Sequence, residues 1–240
     1  MLKDILLQYQ KEFHPVVPFE PRKDLLYPFD FTAANKEISP DQIADTELFA
    51  SYIQSVLKKH ECRYGIGGYN EHRTLYARSK YFDTAMSADG KKLGTMEEPR
   101  RLHLGIDIWG PEGTRVVSPW DGLVHSFQFN NNFADYGATI IVSHNLEGTP
   151  FHILYGHLSL NSIKNLHAGK RIRRGEVFSE FGIRFENGHW PPHLHVQLIE
   201  DIGDWEGDYP GVCRFSEREQ WLKNSPDPDL ILQMNQFIKK

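Results

Sequence analysis

Gly137-Ala138-Thr139-Ile140-Ile141-Val142-Ser143-His144-Asn145-Leu146-Glu147-Gly148-Thr149-Pro150-Phe151-His152-Ile153-Leu154-Tyr155-Gly156-His157 decides the fold class. Residues 138–144 and 151–157 are rich in β-branched and aromatic side chains. Asn, Gly and Pro fall between them, which is the pattern of short strands separated by turns. The same punctuation predicts strands near 104–109, 114–118, 121–129, 171–173, 176–181 and 193–199. Asn130-Asn131-Asn132 should join two antiparallel strands, and Arg173-Arg174-Gly175-Glu176 reads as a tight hairpin turn. The segment 102–205 is therefore expected to be mainly β, a curved antiparallel sheet, with the whole chain α+β once its flanks are added.

The flanks have a different texture. Leu2, Ile5, Leu6, Tyr9 and Phe13 recur at helical spacing over 2–13. Prolines and scattered aromatics over 14–30 predict an extended arm lying on a surface. Ser39-Pro40-Asp41-Gln42 is a capping box with proline at the first helical position, opening a helix that should run to His60. Gly65-Ile66-Gly67-Gly68-Tyr69 reads as a loop. Ser216-Glu217-Arg218-Glu219 is a second capping-box pattern, before a short helix through Leu222, and Ser225-Pro226-Asp227-Pro228 breaks the chain ahead of a last apolar stretch at 230–238. The expected organisation is a helical and extended arm at 1–62, a connecting segment at 63–101, the β-rich core at 102–205 and a tail at 206–240.

Composition narrows the class. The chain has 240 residues, 27 basic against 32 acidic for a net charge of −5, and 15 Phe, 10 Tyr and 5 Trp. That aromatic content supplies a core, and the charge leaves no global footprint for nucleic acid. No apolar run reaches the ~18 residues of a membrane span. The first residues lack the pattern of a signal peptide, so a cytoplasmic location is expected unless a leader has been removed. Two cysteines, Cys62 and Cys213, build neither a disulfide framework nor a cysteine zinc cluster.

The chemistry lies in His103-Leu104-Gly105-Ile106-Asp107, Tyr155-Gly156-His157-Leu158-Ser159 and His193-Leu194-His195. On a strand, residues two apart leave the same face, so one of His193 and His195 can bind a metal while the other reaches the water on it. His103 and Asp107 are also an even number apart, and Gly105 between them removes a side chain that would crowd an ion. His103 and Asp107 from one segment and one histidine of the His193/His195 pair from another thus form a three-ligand set that suits a catalytic zinc, which keeps one position for water. Such zinc acidifies its water and polarises a carbonyl, as amide hydrolysis requires. His157 and His193 have the chemistry for proton handling and oxyanion stabilisation. The other eight histidines read as surface or packing residues.

These three phrases, in this order, resemble the lysostaphin-type zinc metallopeptidases, a family that includes peptidoglycan hydrolases. The likeness extends from His103 to about Glu200 and takes in Gly113-Thr114-Arg115-Val116-Val117-Ser118-Pro119-Trp120-Asp121-Gly122, Asp135-Tyr136-Gly137 and Gly169-Lys170-Arg171-Ile172-Arg173-Arg174-Gly175. The resemblance implies the family's duplicated-hybrid-motif β core, one Zn2+ per chain on His103, Asp107 and His195, and His157 and His193 as the catalytic pair. It also implies a peptide or peptidoglycan-like substrate. Pro210-Gly211-Val212-Cys213, Ser225-Pro226-Asp227-Pro228 and Trp190-Pro191-Pro192-His193 are similar to a narrower subgroup, the peptidase-like module fused between a kinase-like domain and an aminotransferase. Two other functions stay open: a zinc hydrolase of a small intracellular metabolite amide, and a metal-stabilised binding or regulatory module without catalysis.

Three residues are candidate substrate contacts. Arg73, with Glu71, Tyr76 and Arg78, belongs either to a loop over the cleft that grips a substrate carboxylate or phosphate, or to a solvated linker with structural ion pairs. Trp190 is a cleft wall or a packing residue. Tyr155 falls, by alternation, on the face of His157. Pro191 and Pro192 stiffen the approach to His193, and one of the two preceding peptide bonds is a candidate for cis. Gly169 to Gly182 resembles a lipoyl-type hairpin, but its turn lacks the lysine such a carrier needs.

Overall fold

The structure, a computed structural model, describes residues 2–86, 92–95 and 97–239, so 87–91 and 96 of the connecting segment lie outside the described residues. Helix α1 (Leu2–Gln8) buries Leu2 and Leu6 and gives way to a 3-10 turn at Gln10–Glu12, a shorter helix than the periodicity predicts. The arm that follows is not a surface strap. Val16 and Val17 are buried, and β1 (Leu26–Phe29) enters the main sheet. The capping box at Ser39 forms, with Gln42 donating to and accepting from the cap, but it opens only α2 (Pro40–Ala44). Asp45 breaks the helix there and caps α3 (Thr46–Lys59), its carboxylate accepting from the amides of Glu47 and Leu48.

The stretch expected to be a loop at 65–69 is in part β2 (Tyr64–Gly67), buried throughout. Its glycines hide the strand signal and also explain it: a Cβ on Gly65 would fall 2.1 Å from the Phe29 ring, and one on Gly67 2.8 Å from Arg73 Nη2. A ribbon of β3 (Thr84–Met86) and β4 (Lys92–Thr95) follows. The core segment then supplies β5 (Leu102–His103), β6 (Ile106–Trp109), β7 (Arg115–Val117), β8 (Gly122–Asn130), β9 (Gly137–Leu146) and β10 (Thr149–Leu158). After α4 (Leu160–Ile163) come β11 (Arg171–Ile172), β12 (Val177–Glu180) and β13 (His193–Ile199). The tail holds β14 (Val212–Cys213), α5 (Arg218–Asn224) and α6 (Asp229–Leu232). The second capping box does not form, because Ser216 binds Glu98 instead. Among the described residues no helix is long and apolar enough to cross a membrane.

The protein is mostly β, with one large mixed sheet in the order β1-β2-β6-β13-β10-β9-β8-β11. Every pairing in it is antiparallel except β1 with β2. β9 and β10 close through Glu147-Gly148, both at positive φ, the two-residue turn whose twist matches a hairpin. Arg173-Arg174-Gly175-Glu176 is a tight turn, yet not a hairpin: β11 pairs with β8, while β12 crosses to β7 in a separate ribbon.

Strand alternation sorts the two faces. On one, Ile106, Ile108, Ile140, Val142, Ile153, Tyr155, Leu194, Val196 and Leu198 pack with α1, the arm and α6. The other face carries two separate apolar clusters. Phe29, Phe31, Phe49, Ile53 and Trp109 lie under α3 at the β1–β2–β6 end. Ile141, Leu154, Ile199, Ile202 and Tyr209 lie under the tail at the β9–β10 end. Between them the face is polar, and the candidate site sits there. Gly65→Ala should push Phe29 out of its cluster and cost about 1–3 kcal/mol, read as a lower Tm in thermal denaturation. An unchanged Tm would show that the ring yields freely.

Candidate metal centre and cleft

β6 and β13 pair with Asp107 opposite His195 and Trp109 opposite His193, so alternation puts all four side chains on the polar face. His103 arrives differently. β5 has left the main sheet and pairs with β14, with His103 opposite Val212. The chain bends through Leu104-Gly105, so even spacing along one strand does not bring His103 to Asp107. Its Nε2 nevertheless lies 3.3 Å from Asp107 Oδ1. Gly105 makes the approach possible: a Cβ there would stand 2.4 Å from His195 Cε1 and 2.7 Å from the Val196 carbonyl oxygen.

Hydrogen bonds fix which ring nitrogens carry protons. His103 Nδ1 is 2.9 Å from the Gly68 carbonyl, which only accepts, so Nδ1 donates and Nε2 keeps its lone pair. The Gln197 amide nitrogen donates to the Pro210 carbonyl at 3.1 Å and to Ser225 Oγ at 3.0 Å. That turns its oxygen to His195 Nε2 at 3.2 Å, so His195 keeps its lone pair on Nδ1. His103 Nε2 and His195 Nδ1 then face each other at 2.9 Å, and His195 Nδ1 lies 3.1 Å from Asp107 Oδ1. Three acceptors converge with no proton between them. Ligands on a tetrahedral zinc with bonds of about 2.0–2.1 Å sit roughly 3.3 Å apart, so the donor set and its spacing fit zinc.

Arg73 shares part of each expected place, lining the cleft and making structural ion pairs, but in the protein interior. It is 1% exposed, and it pairs with Asp107 Oδ2 at 2.5 Å and Glu71 Oε2 at 2.6 Å. It is thus neither a free grip for substrate nor part of a solvated linker. Burial opposes ionisation of Asp107, but His103 and Arg73 outweigh it and hold the carboxyl well below the usual carboxylate range. Breaking such a pair costs about 3–5 kcal/mol, because the surviving charge stays buried.

His157 reaches this face through an irregularity. Tyr155 pairs with Ile140 and Leu158 with Ala138, so β10 spends three residues where β9 spends two. His157 sits in the bulge at φ +64°, a conformation that costs a non-glycine residue about 1–2 kcal/mol. Backbone bonds from His157 N to the Tyr136 carbonyl and from Gly182 N to the His157 carbonyl hold it there. Tyr155, expected on the face of His157, is on the opposite one, fully buried among the apolar residues and beside Phe178. It is not a substrate contact.

His157 Nδ1 donates to the Asn187 carbonyl and His193 Nδ1 to the Pro191 carbonyl, both at 2.8 Å. Each therefore has its lone pair on Nε2. The two rings lie 4.0 Å apart, and Trp109 stacks on His193 at 4.0 Å. Burial pushes the pKa of His157 far down and that of His193 to about 4, so both are neutral. No cis peptide bond occurs among the described residues, so Pro191 and Pro192 aim β13 through trans bonds.

A cavity of about 260 Å³ joins Asp107, His157, His193 and His195 to Trp190, which forms part of its wall. The segment 73–82 and the tail residues 205–212 supply other walls, and none of residues 2–62 lines it. Sequence reading missed Gln197 and Tyr136. Gln197 continues the alternation of His193 and His195, a signal that was there to use. The Tyr136 ring, 5.1 Å from His195 and 5.7 Å from His157, arrives from a loop, and nothing in its spacing marks it.

Residues 101–205 match the model of peptidase family M23. Over 131 residues the chain is 30% identical to the DD-carboxypeptidase/endopeptidase Mpg of Neisseria meningitidis, covering 55% of this chain and 26% of that protein. It is also 30% identical to the L-Ala–D-Glu endopeptidase of Bacillus subtilis, covering 52% of this chain and 38% of that one. The chain thus spans about a quarter of the Neisseria relative's length. Among solved structures, the catalytic domain of lysostaphin from Staphylococcus simulans is 21% identical, with 55% of this chain and 80% of that one covered, at a TM-score of 0.38.

Gln197→Ala should weaken zinc binding by about 10–100-fold, because His195 loses the partner that fixes its tautomer. Gln197→Glu keeps an acceptor at that position and should restore most of the affinity. Competitive chelator titration measures both, and equal affinities in all three proteins would remove Gln197 from the argument.

Proposed function

We propose that this chain, which carries a peptidase family M23 domain over residues 101–205, is a zinc peptidase that hydrolyses an amide bond in the cavity beside β13. The observation that carries this reading is the convergence of three unprotonated donor atoms, with two histidine Nε2 atoms turned to the same cavity. Held by His103, Asp107 and His195, zinc supplies an acidified water and an electrophile for the substrate carbonyl.

The chain's own residues handle the protons. His157 and His193 enter neutral, with Nδ1 committed to carbonyl oxygens, so each can accept a proton at Nε2. Once protonated, the same atom donates, to the developing oxyanion or to the leaving amine. His193 Nε2 lies 4.0 Å from Asp107 Oδ1, the nearer of the two to the ligand set's carboxylate, and Trp109 holds its ring in place. Arg73 keeps Asp107 ionised, and so keeps that carboxylate out of the proton traffic. The names of the two relatives put peptides with D-amino acids, of the peptidoglycan type, first among substrates to try.

Elemental mass spectrometry should find close to one zinc per chain, lost in His195→Ala. His157→Ala should keep the metal and lose about 10²–10⁴-fold in turnover. A metal-replete wild type without zinc, or full turnover by His157→Ala, would sink the reading.

A further inference from the structure

The cavity carries a second polar group besides the metal donors. Asp135, on the loop into β9, and Asp208, in the tail, both line it. Asp135 is 6% exposed and accepts from Asn132 Nδ2 and the Tyr136 amide, both at 2.9 Å. Asp208 accepts from the Tyr209 amide at 2.7 Å. No ion pair joins either carboxylate to a cationic side chain among the described residues. Arg100 lines the same cavity and makes no ion pair there: its guanidinium lies over the Tyr81 and Phe82 rings and donates to the Tyr81 carbonyl, and its pull on the Asp208 carboxyl is outweighed by burial. Burial raises both carboxyls, Asp135 to about 6, and the neighbouring Asp208 raises Asp135 further, so a positive charge beside them is favoured.

Two further features of this cavity point to what enters. Its walls include Tyr81, Tyr136, Trp205 and Tyr209, aromatic faces that attract a desolvated cation. Trp190, 3% exposed, lines the same space, and its indole N–H is buried without a partner. Buried donors in folded proteins are nearly always satisfied, so this one calls for an acceptor from outside the chain, a water or a ligand oxygen. A peptide brings both groups: a carbonyl oxygen for the indole and an amine for the carboxylates.

We propose that the substrate is a short peptide with an uncapped amine, its ammonium group held by Asp135 and Asp208 while the Trp190 N–H takes a backbone carbonyl. This deepens, and rests on, the peptidase reading above. The tail, which lies outside the matched family segment, then sets specificity by contributing Asp208.

The test uses zinc-loaded protein and three tripeptide amides: trialanine amide, its N-acetyl form, and N-acetyl-alanyl-lysyl-alanine amide. Binding is followed by tryptophan fluorescence, since Trp109, Trp190 and Trp205 line the cavity. At least one amine-bearing peptide should bind about tenfold tighter than the acetylated alanyl peptide, the scale of one buried charge-assisted contact. Asp208→Asn should bring that preference to within about twofold with zinc content unchanged. Equal binding of all three, binding of none, or a preference that survives in both Asp208→Asn and Asp135→Asn would overturn the proposal. A wild type that shows the preference yet takes up no zinc when metal-replete refutes the peptidase reading and leaves the ammonium site standing. Cleavage of all three without preference does the reverse.

Discussion

Two imidazole nitrogens and a carboxylate oxygen held within 3.3 Å of one another in a protein interior repel unless something positive lies between them. Much of the surrounding structure serves to enforce that arrangement. Gly68 and Gln197 take the protons on the far sides of His103 and His195, so neither ring can relieve the repulsion by changing tautomer. Arg73 answers one oxygen of Asp107 and leaves the other to the triad. Gly105 yields the space a side chain would fill. The folded chain accordingly stores an electrostatic cost that a divalent cation repays, which is how metal affinity becomes folding free energy.

The segments outside the β core build the site as much as the core does. β2, from the region before it, places Gly68 beside His103 and packs Gly67 against Arg73 and Trp109. Residues 73–82 and 205–212 wall the cavity, and β14 holds β5 in the position from which His103 points inward. Two apolar clusters on the same sheet face, one under α3 and one under the tail, leave the polar channel between them. The walls of the cleft are thus set by how these flanking segments pack.

Alternation made part of this legible in the sequence. His193 and His195 occupy one face of a regular strand, and the strand boundaries 193–199 agree with the structure because nothing interrupts the period. The same rule failed at Tyr155 and His157, where one extra residue in β10 reverses the parity. A bulge leaves no mark in a pattern of alternating side chains, and His157 occupies a positive-φ position without the glycine that would advertise it. Gly65 and Gly67 misled in the opposite sense. They signal a loop by composition, yet they are strand residues kept small by an aromatic ring and a guanidinium. The partnership of Arg73 with Asp107 spans 34 positions, and no local spacing rule reaches that far.

Gln197 ties His195 to Pro210 and Ser225, and the Ser225 carbonyl in turn accepts from Tyr69. Ligand geometry and the docking of the tail are therefore two sides of one thermodynamic linkage. Whatever free energy the seated tail adds to metal affinity, the metal must return to the seating of the tail. Stripping the ion would loosen a segment of chain on the far side of the histidine it binds, and the protease sensitivity of residues 206–225 becomes a gauge of metal occupancy.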